Sequence, residues 1–500
     1  MKIILSKPEY KLNAADLSKE KKFLRSQFKD GEYWRPIRRR VPFFMDGYRY
    51  AAAAVKKRWG IDFVFFEAGQ GVMPCYLPKF INTEGAKIWM AKMDKDKKFA
   101  NQLVKEIIDI VEVEKKLAKS IPRRELSKKE VIGFLMDHLS WWVKYFEIGF
   151  LWFGVEEIKE KIDKQIAEQW VGSKKDLKIF LDEVYRPMKL PLSSLEQRDL
   201  LKLYSLKGKI FENSLKKHYL KYRHLALHNV DDEYFDIEYY RGRLKLLRSK
   251  GEYRKMKIMM DTADKELLRA NQLIKKTKLS AVLKERINFV RWFMYIRTET
   301  IDHMMLVNGA YKSVFSSLSN FFSLPTDVLL HMTYEEIISS LKKGDLVISR
   351  DLIFDRAKNG YAFLITTPPH KSYLVVGKEV EKFHKFVIPH QEHQDIKELK
   401  GQTAFKGKIR GVARVIIDRR NSHELKDGEI LVTTMTSPEF VPAMKKSAGI
   451  ITNEGGVLCH AAIMSRELRK PCVIGTKIAT DIIKTGQIIT LDADSGVVTL

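Results

Sequence analysis

From about residue 95 to residue 341, Leu, Ile, Val and Phe recur every three or four positions with Lys and Glu between them. That is the period of amphipathic helices, and it predicts an elongated all-α region. Ahead of it the pattern is mixed. Phe43 to Lys57, with its run Ala51 to Ala54, reads as a helix, while Phe63–Phe66 and Val72–Leu77 read as short strands around Gly69-Gln70-Gly71. That Gly-x-Gly lacks the third glycine, the Lys-Ser/Thr and the following helix of a nucleotide loop, so it reads as a hairpin turn. Trp34 to Pro42 reads as an irregular basic segment. Beyond the helices, Tyr373–Gly377 looks like a strand, and a stretch interrupted by Pro389 looks like a hinge. The expected organisation is a mixed α/β segment over 1–94, a helical domain over 95–345, a linker or hinge over 346–399 and a final domain over 400–500.

At 500 residues the chain has room for about three domains. With 45% hydrophobic and 11% aromatic residues it is not a disordered chain. A formal charge of +27 suggests an anionic partner, but the basic residues are scattered from end to end, which fits solvated helix faces instead. Three cysteines, Cys75, Cys459 and Cys472, offer no disulfide framework and no C-x-x-C spacing, so the expected setting is reducing and cytoplasmic. The most hydrophobic stretch, Trp141 to Val155, is interrupted by Lys144 and Glu147 and is too short to span a bilayer. It reads as a buried helix, and no membrane partner is expected. His218, Tyr219, Tyr222, His224, Tyr234, Phe235, Tyr239 and Tyr240 form an aromatic and imidazole cluster that either lines an acceptor pocket or packs helices together. His384, His390 and His393 have loose spacing and no cysteine among them, which favours a solvated hinge over a zinc site.

Thr452 to Gly475 is where chemically loaded residues hold a fixed, short spacing: T-N-E-G-G-V-L-C-H-A-A-I-M-S-R-E-L-R-K-P-C-V-I-G. Ile450 and Ile451 close an apolar strand, Asn453 to Gly456 supply turn chemistry, and Cys459 onward reads as a helix. His460 then stands at or near a helix N-terminus, where unpaired amides and the helix dipole favour a phosphate. A neutral imidazole there can attack phosphorus, and Arg466, six residues on, is expected near the same pole to pair with phosphoryl oxygens. A histidine after a Gly-Gly turn is also a common capping or surface residue, and local chemistry leaves both roles open.

This segment resembles the mobile, swivelling phosphohistidine domain of the PEP-utilising enzymes, matching that family's pattern at nearly every fixed position. The resemblance extends to Gly401–Val415, Asp427–Val432 with Thr436–Glu439, and Thr485–Val498, and so covers about 400–500 end to end. A weaker similarity of Leu283–Leu341 to the helices that precede this domain in some relatives puts helices first and the His domain last. The resemblance implies a multi-domain chain, mainly α-helical in its N-terminal region, with a C-terminal α/β swivelling phosphohistidine domain. It implies a phosphoryl group carried on His460, Arg466 in support, and Gly455, Gly456 and Cys459 positioning the phosphate. By its residue type alone Cys459 reads as a small apolar helix position.

Nothing ahead of Gly401 reads as an ATP-grasp module, and no barrel for pyruvate follows Leu500. No cofactor site and no metal ligand set is read from this chain. The expectation is therefore a phosphotransferase component, PEP synthase-like or dikinase-like, with ATP and Mg²⁺ on a separate ATP-grasp-type partner and a small-molecule acceptor the sequence does not identify. The competing expectation is a non-catalytic binding or scaffold protein that keeps the swivelling domain and engages nucleic acid through its basic surface.

Overall fold

The computed structural model describes residues 3, 5–10, 33–34, 37–39, 42–62, 64–69, 72–78, 80–149, 154–248, 252–366, 371–377, 379–380, 396–417, 419–436, 440–454 and 460–500. Helices dominate up to residue 359, and their spine is Ala281–Phe322, 42 residues long. Ser280 caps its start, accepting a hydrogen bond from the Leu283 amide, and Ser323, at φ +49°, ends it in the left-handed conformation. Its first half gives Leu283, Ile287, Phe289, Val290, Phe293 and Ile296 to a core shared with Trp59, Trp89, Trp141 and Trp142. Its second half gives Val307, Tyr311, Val314, Phe315 and Leu318 to another core, shared with Phe43, Leu135, Leu139 and Tyr334. One helix thus joins two cores, because its apolar positions continue for eleven turns. Of the Trp141 to Val155 stretch, Trp141 to Gly149 lie in helix Lys128–Gly149 and Val155 opens helix Val155–Gln169, and among the described residues no helix is long and apolar enough to cross a membrane.

Against these helices lies an antiparallel sheet of β1 (Tyr33–Trp34), β2 (Ile37–Arg39), β3 (Val64–Gly69), β4 (Val72–Pro78), β5 (Tyr361–Thr366) and β6 (Tyr373–Val376). Its order is β1-β4-β3-β5-β6, with β2 also on β4. Two expectations are corrected here. Trp34 to Pro42 is not wholly irregular, since β1 and β2 pair with β4. The stretch 346–399 is not a linker throughout: helix Arg350–Asn359 leads into β5, which pairs along its whole length with β3. All six β5 residues are buried, so the strand is core rather than tether. Its partner lies almost 300 positions away, a pairing that local patterning does not reveal.

Helices Leu192–Lys202, Gly208–Tyr222, Ile237–Leu247 and Glu252–Lys276 surround a satellite core of Leu200, Leu215, Tyr222, Tyr240, Leu244 and Met260. Tyr219, Tyr222, Phe235, Tyr239 and Tyr240 of the aromatic and imidazole cluster belong to it, while the Tyr234 hydroxyl donates to the Gly309 carbonyl of helix Ala281–Phe322. His218 is buried with Nε2 3.0 Å from Glu196 Oε1, the same oxygen that accepts from Arg243 Nη1 at 2.7 Å, while the Tyr222 hydroxyl donates to Asp199. Of the two readings of that cluster, helix packing is the one these contacts describe.

The final part, 396–500, is an eight-stranded sheet among the described residues. It contains β7 (Glu398–Lys400), β8 (Gln402–Phe405), β9 (Lys408–Val415), β10 (Ile430–Thr433), β11 (Gly449–Thr452), β12 (Cys472–Ile474), β13 (Ile488–Asp492) and β14 (Val497–Thr499). The order is β7-β14-β13-β9-β10-β11-β12-β8, with β9 to β12 parallel. Strands β7 and β8 stand at opposite ends of that order yet are separated only by Gly401, so the sheet closes on itself there. A Cβ at Gly401 would lie 2.6 Å from the Ile474 carbonyl oxygen, and the Gly401 amide donates to the Gly496 carbonyl. The period of two splits the strands between two cores: Ile430, Val432, Ile451 and Val473 face helix Ala479–Ile482, while Leu431, Ile450, Cys472 and Ile474 face helices Val441–Lys446 and His460–Leu468. Among the described residues, three core clusters thus lie within residues up to 376 and two within 396–500.

Candidate functional site

The segment singled out in the sequence leaves the sheet where β11 ends, between two parallel neighbours. In a parallel sheet the carboxyl ends of the strands open toward the loops that bind ligands. Strand β11 is fully buried, and its exit is tied on both sides. Toward β10, the Asn453 amide donates to the Thr433 carbonyl (3.1 Å) and the Glu454 amide to the Thr434 carbonyl (2.8 Å). Toward β12, the Thr476 amide and hydroxyl both donate to the Thr452 carbonyl, and the Lys477 amide donates to the Asn453 carbonyl at 2.9 Å. The Thr452 hydroxyl reaches forward to the Glu454 carbonyl at 2.6 Å. The chain therefore leaves the sheet in a fixed direction.

The helix that follows runs His460–Leu468 and opens at His460. Ala461, Ala462 and Ser465 are buried against the sheet, and Met464 and Leu468 pack at the margin of that core. Small residues at 461 and 462 let the first turn lie close to the strands. Arg469, at φ +54°, ends the helix, and the Lys470 amide donates back to the Ser465 carbonyl. The Lys470 ammonium donates to the carbonyls of Lys445 and Ser447, pinning this end to the end of helix Val441–Lys446. Burial lowers the pKa of Lys470. At the same end of the parallel strands the Arg414 guanidinium, hydrogen-bonded to both Glu429 oxygens, holds Glu429 below the usual carboxylate range.

Of the residues singled out from the sequence, His460 begins the helix, so its amide and those of the next residues lack intrahelical partners. Arg466 lies in the second turn, about 9 Å along the axis from His460 at 1.5 Å per residue, so its place in the chain does not itself put it at the N-terminal pole. The side chains of His460 and Arg466, and Gly455, Gly456 and Cys459 altogether, lie outside the described residues, as do His384, His390 and His393. Thr433, Thr434, Thr476 and Thr480, which surround the strand exit, carried no signal beyond being hydroxyl residues at strand ends. Among the described residues no group of three or more His, Cys, Asp or Glu is placed to hold a metal ion.

Residues 425–496 match the profile of the PEP-utilising enzyme, mobile domain family. This part of the chain is a PEP-utilising enzyme mobile domain. Over 132 residues the chain is 49% identical to the phosphoenolpyruvate synthase of Pyrococcus furiosus, covering 26% of this chain and 16% of that one. It is 50% identical over 100 residues to a probable phosphoenolpyruvate synthase of Archaeoglobus fulgidus (20% of this chain, 13% of that one). A third relative, the phosphoenolpyruvate synthase of Helicobacter pylori, is 36% identical over 178 residues, or 34% and 21% of the two chains. The chain thus spans between 13% and 21% of the length of these relatives. Among solved structures, Thermococcus kodakaraensis aconitase X in its holo-form aligns with 20% of this chain and 96% of its own at 23% identity. Its TM-score is 0.17, too low to speak for a shared fold.

Proposed function

We propose that the mobile domain carries a phosphoryl group on His460, as one component of a phosphotransferase. The observation that supports this most is the helix opening at His460 directly beyond the fixed exit of a central parallel strand, inside a segment that matches the mobile-domain profile. The neutral imidazole attacks phosphorus, forming a P–N bond as the bond from phosphorus to the donor's bridging oxygen breaks, with the electron pair leaving on that oxygen. An acceptor oxygen then attacks, the P–N bond breaks, and the imidazole is released. Helix amides and dipole stabilise the added negative charge, Gly455, Gly456 and Cys459 let the backbone approach it closely, and Arg466 contributes its positive charge. ATP and Mg²⁺ belong to a separate ATP-grasp-type subunit in this reading, and the helical region binds that partner or the acceptor.

Purified chain is incubated with ATP labelled in the β phosphate, or with labelled PEP, alone and with lysate of its source. Acid-labile, base-stable label on the wild type and none on His460→Ala is the expected result. Label retained on His460→Ala overturns the assignment.

A further inference from the structure

Asn453 uses every polar atom it has, and each bond crosses to another segment. Its amide donates to the carbonyl of Thr433, the last residue of β10, and its carbonyl accepts from Lys477 beyond β12. Its side chain makes a reciprocal pair with Thr480: Nδ2 donates to the Thr480 hydroxyl at 2.6 Å, and Oδ1 accepts from the Thr480 amide at 3.0 Å. Thr480 is the second residue of helix Ala479–Ile482, whose own preceding residue, Ile478, makes no side-chain cap. Asn453, the residue after β11, therefore caps that helix from 27 positions away, and it is buried, at 6% exposure. A hydrogen-bonded amide with no competing solvent holds one orientation.

The Thr452 and Thr476 bonds secure the strand itself, so the Asn453 side chain is not needed to keep β11 in the sheet. What it adds is a lock between the last residue before the turn and the helix on the opposite core. The chain goes from this point to His460 in seven residues, and an error in its exit direction is carried forward to the helix start.

We infer that Asn453 is a positioning residue for phosphoryl transfer: through Thr480 it sets the direction in which the chain leaves β11 and hence where His460 stands. This rests on His460 as the carrier. It also predicts which substitution is tolerated. Aspartate keeps the Oδ1 acceptor, and the Thr480 hydroxyl can turn to donate to the second oxygen, whereas alanine leaves the Thr480 amide unpaired in a buried place.

The test compares wild type, Asn453→Ala and Asn453→Asp in the full chain, with ATP labelled in the β phosphate and source lysate. For Asn453→Ala the rate of label transfer to His460 is expected to fall on the order of 10- to 100-fold at unchanged half-saturating ATP, as misplacement of a reacting group does; Asn453→Asp restores most of it. Amide hydrogen exchange is read in parallel. Peptides covering 453–466 are expected to exchange faster in Asn453→Ala, with those of β9 and β13 unchanged. Wild-type transfer by Asn453→Ala overturns the inference, and so does faster exchange throughout the mobile domain, which marks a merely structural role. If wild type takes no label, the carrier reading falls and the positioning role falls with it, whereas label on wild type with undiminished transfer by Asn453→Ala overturns the positioning role alone.

Discussion

Glu114 shows what a single buried side chain does here. It lies fully buried in helix Phe99–Ser120, and among the described residues neither carboxylate oxygen has a hydrogen-bond partner. Burial pushes its pKa well above that of an exposed glutamate, with Lys115 opposing weakly. The unfolded chain releases this proton near the ordinary pKa while the folded protein keeps it. Its contribution to stability is therefore full below the ordinary value and is lost as pH rises through the folded one. Glu114→Leu is expected to raise stability by about 1–3 kcal/mol, more at pH 8 than at pH 5, in urea unfolding at both pH values. A loss of stability at pH 8 would refute this. In the sequence Glu114 is one charge in the run Glu112-Val113-Glu114-Lys115-Lys116, and nothing local marks it as the one turned inward. Asn453 is similar: its turn chemistry is legible, its partner Thr480 is not.

Among elements, the pair of Glu336 and Arg356 joins helix Tyr334–Lys343 to helix Arg350–Asn359 with both side chains at 0% exposure. Two bonds of 2.9 Å link guanidinium and carboxylate, and the Thr333 amide and Glu336 side chain form half of a capping box. Burial raises the Glu336 pKa, but the Arg356 charge and hydrogen bonds outweigh it and leave it lowered. Its stabilisation is thus present above the ordinary glutamate pKa and is lost as pH falls through the folded value. Arg356→Met strands the carboxylate and is expected to cost about 3–5 kcal/mol, while the double variant Arg356→Met/Glu336→Leu regains most of it. Chemical denaturation of the single and double variants checks this, and additive losses would contradict it. The capping box is written in the spacing of Thr333 and Glu336. The choice of Arg356 as partner is a tertiary decision.

For the whole molecule, the division of core clusters between residues up to 376 and 396–500 predicts two unfolding transitions in calorimetry. Gly401→Ala drives a methyl group to 2.6 Å from the Ile474 carbonyl oxygen, a backbone atom that cannot swing aside. It is expected to destabilise the mobile domain by about 1–3 kcal/mol and leave the other transition in place. One transition shifted as a unit would count against two independent cores. The mobile domain was legible through its resemblance to a family whose motif residues follow one another within about a hundred residues; local period and spacing by themselves gave the strand before Asn453, the turn and the helix after it. Determined by the sequence alone were the helical rhythm from 95 to 341, the β3–β4 hairpin, the strand before Asn453 and the helix at His460. Tertiary structure decided that β5 completes a sheet begun near residue 33, that His218 serves packing, and that Thr480 holds Asn453, because each depends on partners that hydrophobic period and spacing cannot name.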